Sequence, residues 1–261
     1  MSAYEHRARK RFGQNFLHDA NIIQKIIDVI NPQSNDHFIE IGPGLGALTI
    51  QLIKYNTKLD IIEIDRDLIE HLKKEFETET NFTIHEHDAL KFDYASISTD
   101  NIRIIGNLPY NISTPLLFHL ISYAKIIQDM TFMLQKEVVD RICSSPDNKQ
   151  YGRLSVMLQY QCEVEKLFTV KPGAFNPAPK VDSAIVKLIP KKIIKNNAKD
   201  FNQFSTIVLD AFSQRRKTLR NTLKKHLTEQ EIIDCNIDPS TRAETLTVDE
   251  FVQLANRSTT K

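Results

Sequence analysis

The chain has 261 residues, 41% of them hydrophobic, so it is long enough for one large domain and a small one around a buried core. Its 34 Lys and Arg nearly balance its 33 Asp and Glu, so the net charge points to no class of partner. Three separated cysteines without a C-x-x-C pair argue against a disulfide framework or a zinc site, and the lack of a signal peptide or long apolar stretch predicts a soluble, cytoplasmic protein.

Short apolar runs bounded by turn signals recur along the first half of the chain and predict β-strands. These runs are HFIEIG (37–42), LDIIEID (59–65), FTIHEHD (82–88), IRIIGNL (102–108) and DMTFMLQ (129–135). Between the first three lie ALTIQLIKYN and RDLIEHLKKEFE, whose apolar residues have helical spacing. Alternating strands and helices predict an α/β fold with a mostly parallel sheet between helices.

Two later runs predict a change of strand direction at one edge of this sheet. EVEKLFTV (163–170) and SAIVKLIP (183–190) enclose the proline-rich KPGAFNPAPKVD. Two strands joined by such a long loop are typical of a hairpin. We therefore expect an antiparallel hairpin at the edge of the sheet.

After Pro190 the sequence becomes polar and then only helical. Capping-box patterns at Thr228–Glu231 and Thr247–Glu250 predict that helices begin there. We predict a catalytic domain over residues 1–190 and a small all-α domain over residues 191–261.

Three of the seven glycines fall in EIGPGLGALT (40–49), directly after the first predicted strand. Glycines at such a turn let the backbone approach a ligand closely, because no side chain intervenes. With Ala47 the stretch also matches the G-x-G-x-x-A pattern of dinucleotide sites. Glu63, at the end of the second strand, could accept hydrogen bonds from both ribose hydroxyls. These residues suit an adenosine methyl donor or NAD, and an ordinary glycine turn is the alternative.

The form E-x-G-x-G-x-G resembles the S-adenosylmethionine loop of the class I methyltransferases. That family holds the adenine amine with a carboxylate after the third strand, where HDAL (87–90) supplies Asp88. His85 and His87 share a strand face and suggest a metal, but no further ligand stands at a supporting spacing. We therefore predict S-adenosylmethionine as the cofactor and no metal.

NLPY (107–110) follows the fourth predicted strand, at the edge of the sheet where open α/β folds bind ligands. An adenine amine is a poor nucleophile because its lone pair is delocalised into the ring. The Asn107 side-chain oxygen and the Leu108 carbonyl could each accept one N6 proton and so aim the lone pair at a methyl donor. Pro109 stiffens the turn, and Tyr110 offers a ring on which the base can stack. A strand-end turn with a buried tyrosine is the alternative.

Five motifs in chain order resemble the ribosomal RNA small-subunit adenine N6-dimethyltransferases. They are FGQNFL (12–17), EIGPGLGALT (40–49), NLPYNIS (107–113), FNPAPKVDSAIVKL (175–188) and FSQRRKTLRN (212–221). The resemblance spans nearly the whole chain and implies a Rossmann-like class I methyltransferase sheet. It also implies dimethylation of two adjacent adenines near the 3′ end of small-subunit rRNA, a step in ribosome biogenesis.

Carried onto the matching positions, the resemblance implies a role for each site residue. Methyl-donor binding falls to Asn15, Leu17, Gly42, Glu63, Asp88 and Asn107. The catalytic residues are Asn107, Leu108, Pro109, Tyr110 and Phe175, with Tyr110 and Phe175 flanking the target adenine.

Positive charge is grouped near both ends of the chain. Residues 191–226 hold ten Lys or Arg against two Asp, and RARKR lies near the N-terminus. Arg216, Arg220 and Lys224 recur every four residues, which predicts one basic face of a helix that begins at Arg215. A solvated helix face is the alternative. The candidates for binding an RNA phosphate backbone are Arg215, Arg216, Lys217, Arg220 and Lys224.

Other functions remain open on the sequence alone. A related methyltransferase could act on large-subunit rRNA, although FNPAPKVDSAIV and the basic segment resemble the small-subunit group. A small-subunit assembly factor would need no catalysis, and a glutamine or DNA-amine methyltransferase would more often have Pro at position 108. We expect a monomer whose partner is small-subunit rRNA in the 30S subunit or its precursor, with no membrane involved.

Overall fold

A computed structural model of the protein describes residues 14–258. The strands are β1 (Phe16–Leu17), β2 (His37–Ile41), β3 (Lys58–Glu63), β4 (Phe82–Glu86), β5 (Ile102–Asn107), β6 (Ile127–Gln135), β7 (Cys162–Val170), β8 (Phe175–Asn176) and β9 (Ser183–Pro190). The helices are α1 (Ala20–Ile30), α2 (Thr49–Ile53), α3 (Arg66–Glu75), α4 (Ser113–Ile121), α5 (Lys136–Ile142), α6 (Arg153–Gln161), α7 (Phe201–Ala211), α8 (Leu219–Thr222), α9 (Glu229–Ile233) and α10 (Val248–Ser258). In this part of the chain, no helix is long and apolar enough to cross a membrane.

Seven strands form one sheet in the order β4-β3-β2-β5-β6-β9-β7, and β1 pairs separately with β8. The five strands from β4 to β6 in that order are parallel, whereas β9 is antiparallel to β6. From β2 the chain runs outward to β4 and then returns to β5 on the other side of β2. This reversal places the carboxyl ends of β2 and β5 side by side, which is where open α/β sheets bind ligands. The predicted α/β fold with an antiparallel edge and a helical C-terminal part is confirmed.

The central strands are apolar on both faces, as buried parallel strands require. On β2, Phe38 and Ile39 are fully buried, and Ile61 on β3 and Ile104 on β5 are equally inaccessible. Asp19 caps the start of helix α1, and its side chain accepts hydrogen bonds from two backbone N–H groups of the first turn. The buried face of this helix joins the same hydrophobic cluster as Phe38. Burial of this apolar surface holds the helix against the sheet.

Arg103, near the amino end of β5, is a charged residue inside the core. Its guanidinium donates to both carboxylate oxygens of Asp129 on β6, at 3.0 and 2.9 Å, and to Asp36 at 2.6 Å. A further bond of 2.7 Å reaches the carbonyl of Ile30 at the end of α1. A buried charge is tolerated when every donor has such a partner. The network links β5, β6, the end of α1 and the segment before β2 at the amino ends of the central strands.

Gly106 allows β5 to approach β2 closely at the carboxyl ends of these strands. A Cβ atom at this position would lie 2.5 Å from the carbonyl oxygen of Ile41, closer than real Cβ atoms come to backbone. The next residue is Asn107, so this contact also sets where the NLPY turn begins relative to the loop after β2. The glycine is required here by a close approach of two backbones.

The chain divides into two compact units. The first comprises the described residues through Val139 together with Glu165–Pro190, and the second comprises Asp140–Val164 and the described residues from Lys191. The second unit therefore includes α6, which the proposed division of residues 1–190 from 191–261 assigns to the first domain. The assignment of donor binding to one domain and RNA binding to the other stays a prediction.

Both predicted capping boxes in the second unit are confirmed. Thr228 and Glu231 exchange side-chain to backbone hydrogen bonds at the start of α9. Thr247 and Glu250 do the same at the start of α10. Each box satisfies N–H groups that the first turn of a helix leaves without partners.

The prediction of a basic helix that begins at Arg215 is wrong. The region contains only the short helix α8, with Arg216 before it and Lys224 after it, so no helical face joins these residues. The first N–H groups of α8, those of Leu219 and Arg220, donate to the carbonyls of Thr241 and Pro239. Tertiary hydrogen bonds from a distant loop replace the preceding helical turn that the charge spacing suggested.

We expect Gly106→Ala to lower the free energy of unfolding by on the order of 1 to 3 kcal/mol, because the new methyl group meets a carbonyl that cannot move without breaking the pairing of β2 and β5. Gly173→Ala is the matched control, since a Cβ there has no neighbour within 4 Å. Urea denaturation of both variants measures the difference. Equal stability of Gly106→Ala and the unsubstituted protein would contradict the proposed constraint.

Candidate active site

A cavity of about 270 Å³ lies at the carboxyl ends of the parallel strands. It is bounded by the segments after β2, β3, β4 and β5 and by residues 14–17, which we call the N-terminal strap. Among the residues predicted from sequence, those that line the cavity are Asn15, Leu17, Gly42, Glu63, Asp88, Asn107, Leu108, Pro109 and Tyr110. The fold therefore brings together segments that are nearly a hundred residues apart in the chain.

The loop after β2 depends on its three glycines. Gly42, Gly44 and Gly46 have φ angles of 64°, 61° and 82°, in the left-handed region that favours glycine. The N–H of Gly42 donates to the carbonyl of Ile62 on β3, at 3.0 Å. At Gly44 a Cβ would lie 2.9 Å from the Phe16 ring, so the missing side chain makes room for the strap. The loop thus exposes backbone to the cavity while the strap packs against it.

The N-terminal strap contacts several cavity-forming segments. Gln14 donates from Nε2 to Oδ2 of Asp65, beyond the end of β3, at 2.9 Å. The carbonyl of Asn15 accepts a hydrogen bond from the Asn107 side chain, and Leu17 pairs with Phe175 in the β1–β8 ladder. Gln14 and Phe16, which line the cavity, and Asp65, which holds Gln14, were not predicted from the sequence. Only the FGQNFL motif marked this region, and nothing in it indicated these partners.

The Asn107 amide has a defined orientation. Its Nδ2 donates to the Asn15 carbonyl at 3.0 Å, so one N–H of the amide is engaged within the protein and fixes its orientation. The amide oxygen, Oδ1, remains available as an acceptor on the wall of the cavity. This is the atom that the sequence predicts as an acceptor for the target amine.

The two carboxylates predicted to bind a ligand, Glu63 and Asp88, each use one oxygen to accept hydrogen bonds from the backbone. Oε1 of Glu63 accepts from the N–H groups of Ile64 and Asp65, at 2.7 and 2.8 Å. Oδ1 of Asp88 accepts from the N–H of Leu90 at 3.0 Å. Burial raises the pKa of Glu63 above its ordinary value, against the opposite effect of its two hydrogen bonds. The second oxygen of each group can accept hydrogen bonds from a ligand.

Glu40 is a third carboxylate of the cavity. It is only 2% exposed, and Oε2 accepts a hydrogen bond of 2.6 Å from the hydroxyl of Thr49. Burial raises the pKa of Glu40 to about 7, against the effect of the Thr49 hydrogen bond, and the negative charge of Glu63 raises it further. No role was assigned to Glu40 from the sequence beyond its place in the glycine motif.

The charge of the lining fits a cationic ligand. Three carboxylates face the cavity, and none of its described lining residues is Lys or Arg. A sulfonium and an ammonium group, as in S-adenosylmethionine, would meet opposite charge there. The pyrophosphate of NAD would meet like charge, which argues against the dinucleotide alternative.

Phe175 does not line the cavity. Its side chain is 3% exposed and belongs to the core cluster that contains Leu17. A place beside the target base stays a prediction for this residue, and its burial does not support it. Tyr110, by contrast, lines the cavity and forms a hydrogen bond of 3.1 Å between its hydroxyl and that of Ser183.

The two histidines considered for a metal both contact the ring of Phe92 but have different polar partners. His85 lies 2.7 Å from Oδ1 of Asp60, whose other oxygen lies 2.6 Å from His37. His87 lies at the cavity and contacts Phe92 edge to face. Within residues 14–258, no group of three or more His, Cys, Asp or Glu could hold a metal ion.

The candidate RNA-binding residues differ in how far they are engaged. Arg215 donates to the carbonyl of Lys149 at 2.6 Å and to Glu244 at 3.3 Å, so its guanidinium stabilises the second unit. The exposed side chains without a partner among the described residues are Arg216, Lys217 and Lys224, and the Arg220 guanidinium lies 4.0 Å from Glu229. RARKR lies outside the described residues.

Comparison with known proteins identifies close relatives over nearly the full length. The family model of ribosomal RNA adenine dimethylase matches residues 5–260. Ribosomal RNA small subunit methyltransferase A of Pseudomonas fluorescens is 53% identical, covering 97% of this chain and 94% of its own. The protein of the same name from Pseudomonas aeruginosa is 54% identical, covering 97% and 96%.

Solved structures share the fold. A dimethyladenosine transferase from Plasmodium falciparum has a TM-score of 0.80 and 29% identity, over 92% of this chain and 95% of its own. The 23S rRNA methyltransferase ErmE has a TM-score of 0.73 over 93% and 99% of the two chains. Its 22% identity makes it evidence for the fold alone.

We expect Glu40→Gln to change how stability depends on pH. In the ligand-free protein Glu40 titrates near pH 7, whereas its ordinary pKa is 4.5. Between these values the folded state holds a proton that the unfolded state has lost, so stability falls as the pH rises. Glutamine cannot lose a proton, so its stability relative to glutamate should be higher at pH 8 than at pH 5, by on the order of 2 to 4 kcal/mol.

Urea denaturation at the two pH values measures this difference. Glu77→Gln, at an exposed position, is the control and should alter stability equally at both. A relative stability of Glu40→Gln that is the same at pH 5 and pH 8 would show that Glu40 is charged throughout.

Proposed function

The chain belongs to the ribosomal RNA adenine dimethylase family, and we propose that it dimethylates N6 of two adjacent adenines near the 3′ end of small-subunit rRNA. It is an S-adenosylmethionine-dependent rRNA methyltransferase. One observation carries the proposal: a cavity with three carboxylates also contains the free acceptor oxygen of Asn107. A donor site and an acceptor site for an amine therefore share one wall.

Donor binding is assigned to residues that line the cavity. S-adenosylmethionine, when bound, supplies a methyl group on a positively charged sulfur. Oε2 of Glu63 would accept from the ribose hydroxyls, and Asp88 would accept from the adenine amine. Gly42 presents backbone, and the strap residues Asn15 and Leu17 cover the ligand. Glu40 lines the same cavity, and its hydrogen bond to Thr49 orients it independently of any ligand.

The acceptor amine would be held by oxygens that do not take its protons. Asn107 Oδ1 and the Leu108 carbonyl each accept one N6 hydrogen bond, which directs the nitrogen lone pair toward the donor. The Asn15 carbonyl keeps the Asn107 amide in this orientation. The N–H of Leu108 donates to the carbonyl of Met133 at 3.1 Å, which holds the turn against β6. The ring of Tyr110 would stack on the target base.

The exposed cations of the second unit support an RNA surface. Arg216, Lys217 and Lys224 have no partner among the described residues, so their charges are available to phosphates. Arg215 contributes indirectly, because it holds the segment through Lys149 and Glu244. We propose that this segment contacts the rRNA backbone of the 30S subunit or its precursor in the cytoplasm, and that the protein acts as a monomer.

The small-subunit substrate is favoured over the large-subunit one. The relatives that are 53% and 54% identical carry the small-subunit name, whereas the 23S enzyme is 22% identical. The orientation of Asn107, with its Oδ1 left as an acceptor at the cavity, favours a catalytic protein over a purely non-catalytic assembly factor.

Undermethylated 30S subunits, labelled S-adenosylmethionine and the protein test this function directly. Mass spectrometry of the rRNA should find dimethyladenosine at two adjacent positions near its 3′ end. Undermethylated 50S subunits serve as the competing substrate. Label found only in 50S rRNA would overturn the proposed substrate.

In the same assay, Asn107→Ala should lower the rate of methyl transfer by on the order of 100-fold or more, because it removes an acceptor that positions the amine. Donor affinity should also weaken, since the Asn15 carbonyl loses its partner. Asn81→Ala is the control: its amide also donates one side-chain bond, to Asn56, but far from the cavity. Turnover of Asn107→Ala near that of the control would refute the role given to Asn107.

Replacing Arg216, Lys217 and Lys224 together with Gln should weaken binding to 30S subunits and flatten its salt dependence. The slope of log K against log salt is negative, and each lost phosphate contact should reduce its magnitude by about 0.7 to 0.9. A control variant with Lys58, Lys73 and Lys74 replaced by Gln removes the same charge from exposed positions of the first unit. Titrations at several salt concentrations measure both slopes. An equal slope for the two variants would place the RNA surface elsewhere.

A further inference from the structure

Tyr110 is held at both ends. Its backbone carbonyl accepts a hydrogen bond of 3.2 Å from the hydroxyl of Ser113, the first residue of α4. At the other end of the side chain, its phenol shares a hydrogen bond of 3.1 Å with the hydroxyl of Ser183. The ring between these contacts lines the cavity. A ring fixed only at its backbone could still turn about its side-chain torsions, so the phenol contact is what restrains it.

The strand register explains why Ser183 can reach this tyrosine. Asn107, at the end of β5, is opposite Met133 of β6. Two residues further along β6, Gln135 is opposite Ser183, the first residue of β9. The Tyr110 side chain therefore extends from the end of β5 past the end of β6 to the start of β9. Three neighbouring strands end or begin around this one ring.

Ser183 itself cannot move easily. It is 1% exposed, and the preceding carbonyl, that of Asp182, accepts a hydrogen bond of 2.9 Å from the N–H of Lys136. The Asp182 side chain also accepts a hydrogen bond of 2.8 Å from Lys171, at the other end of the KPGAFNPAPKVD loop. A buried hydroxyl is costly without a partner, and the phenol of Tyr110 is the side-chain partner of Ser183 in the described structure.

We propose that Ser183 is a positioning residue that fixes the ring of Tyr110 for stacking on the target adenine. This inference rests on the proposed function, in which Tyr110 meets the base. Ser183 does not touch the base or the methyl donor; it acts through the phenol. Stacking on an aromatic ring contributes only when the two planes are parallel, so a ring held in one orientation presents the amine at the right angle more often.

The expected kinetic effect follows from where the phenol acts. Ser183→Ala should lower kcat for methylation of undermethylated 30S subunits by about three- to tenfold, the size of one neutral hydrogen bond. KM for the subunit should change little, because phosphate contacts supply most of its binding. Donor affinity in calorimetry should be unchanged. A merely destabilised protein would show neither this split between kcat and KM nor an intact donor site.

The decisive experiment is a double-mutant cycle with Tyr110→Phe, which keeps the ring and removes the phenol. If Ser183 acts through that phenol, Tyr110→Phe should lower kcat by the same factor, and Ser183→Ala should have no further effect in its presence. Tyr110→Phe also serves where Ser183→Ala folds poorly, because Tyr110 is not in the core. Ser155→Ala is the control for loss of a fully buried serine hydroxyl, one that bonds the Arg141 carbonyl in the second unit.

The outcomes separate the inference from the function on which it rests. Equal single effects with no further loss in the double variant support the positioning role. Multiplying effects, or an unaltered kcat in Tyr110→Phe, would overturn it while leaving the methyltransferase assignment intact. A wild-type protein that transfers no methyl group to 30S subunits would overturn the proposed function and this inference with it.

Discussion

The active site depends on how closely the carboxyl ends of β2 and β5 approach each other. The glycine loop follows β2 and the NLPY turn follows β5, so the distance between the two strands sets how close these two cavity-lining segments lie. Gly106 makes that distance short, because any side chain there would meet the Ile41 carbonyl. The buried Arg103 network at the opposite edge holds β5 in register with its neighbours. The ion pairs of Arg103 at the amino ends of the strands thus help to hold β5 where its carboxyl end meets β2.

Most of the fold and much of the site could be predicted from sequence because they depend on local signals. Apolar runs with turn residues identify β2 to β6 to within two residues at each end, and the capping boxes identify the starts of α9 and α10. Side chains such as Glu63 and Asn107 lie at the ends of strands. Their convergence follows from the rule that the carboxyl ends of parallel strands meet at one edge.

What escaped prediction depends on contacts between distant segments. The bond from Gln14 to Asp65 joins residues 51 positions apart, and no spacing in the sequence indicates it. Arg216 and Lys224 have helical spacing, but α8 is cut short because its first N–H groups find carbonyls near residue 240. In each case a tertiary partner overrides the local pattern.

The hydrogen bond between Asn107 and the N-terminal strap does not depend on the side chain of its acceptor residue. The group that orients the Asn107 amide is a main-chain carbonyl, and every amino acid at position 15 supplies one. Exchange of the Asn15 side chain therefore cannot delete this acceptor. Only a change in the path of the chain can, such as loss of the short ladder between Phe16–Leu17 and Phe175–Asn176. Substitutions at residue 15 consequently leave the acceptor of the Asn107 amide in place. Substitutions in β8, about seventy residues further along the chain, could remove it by displacing the strap.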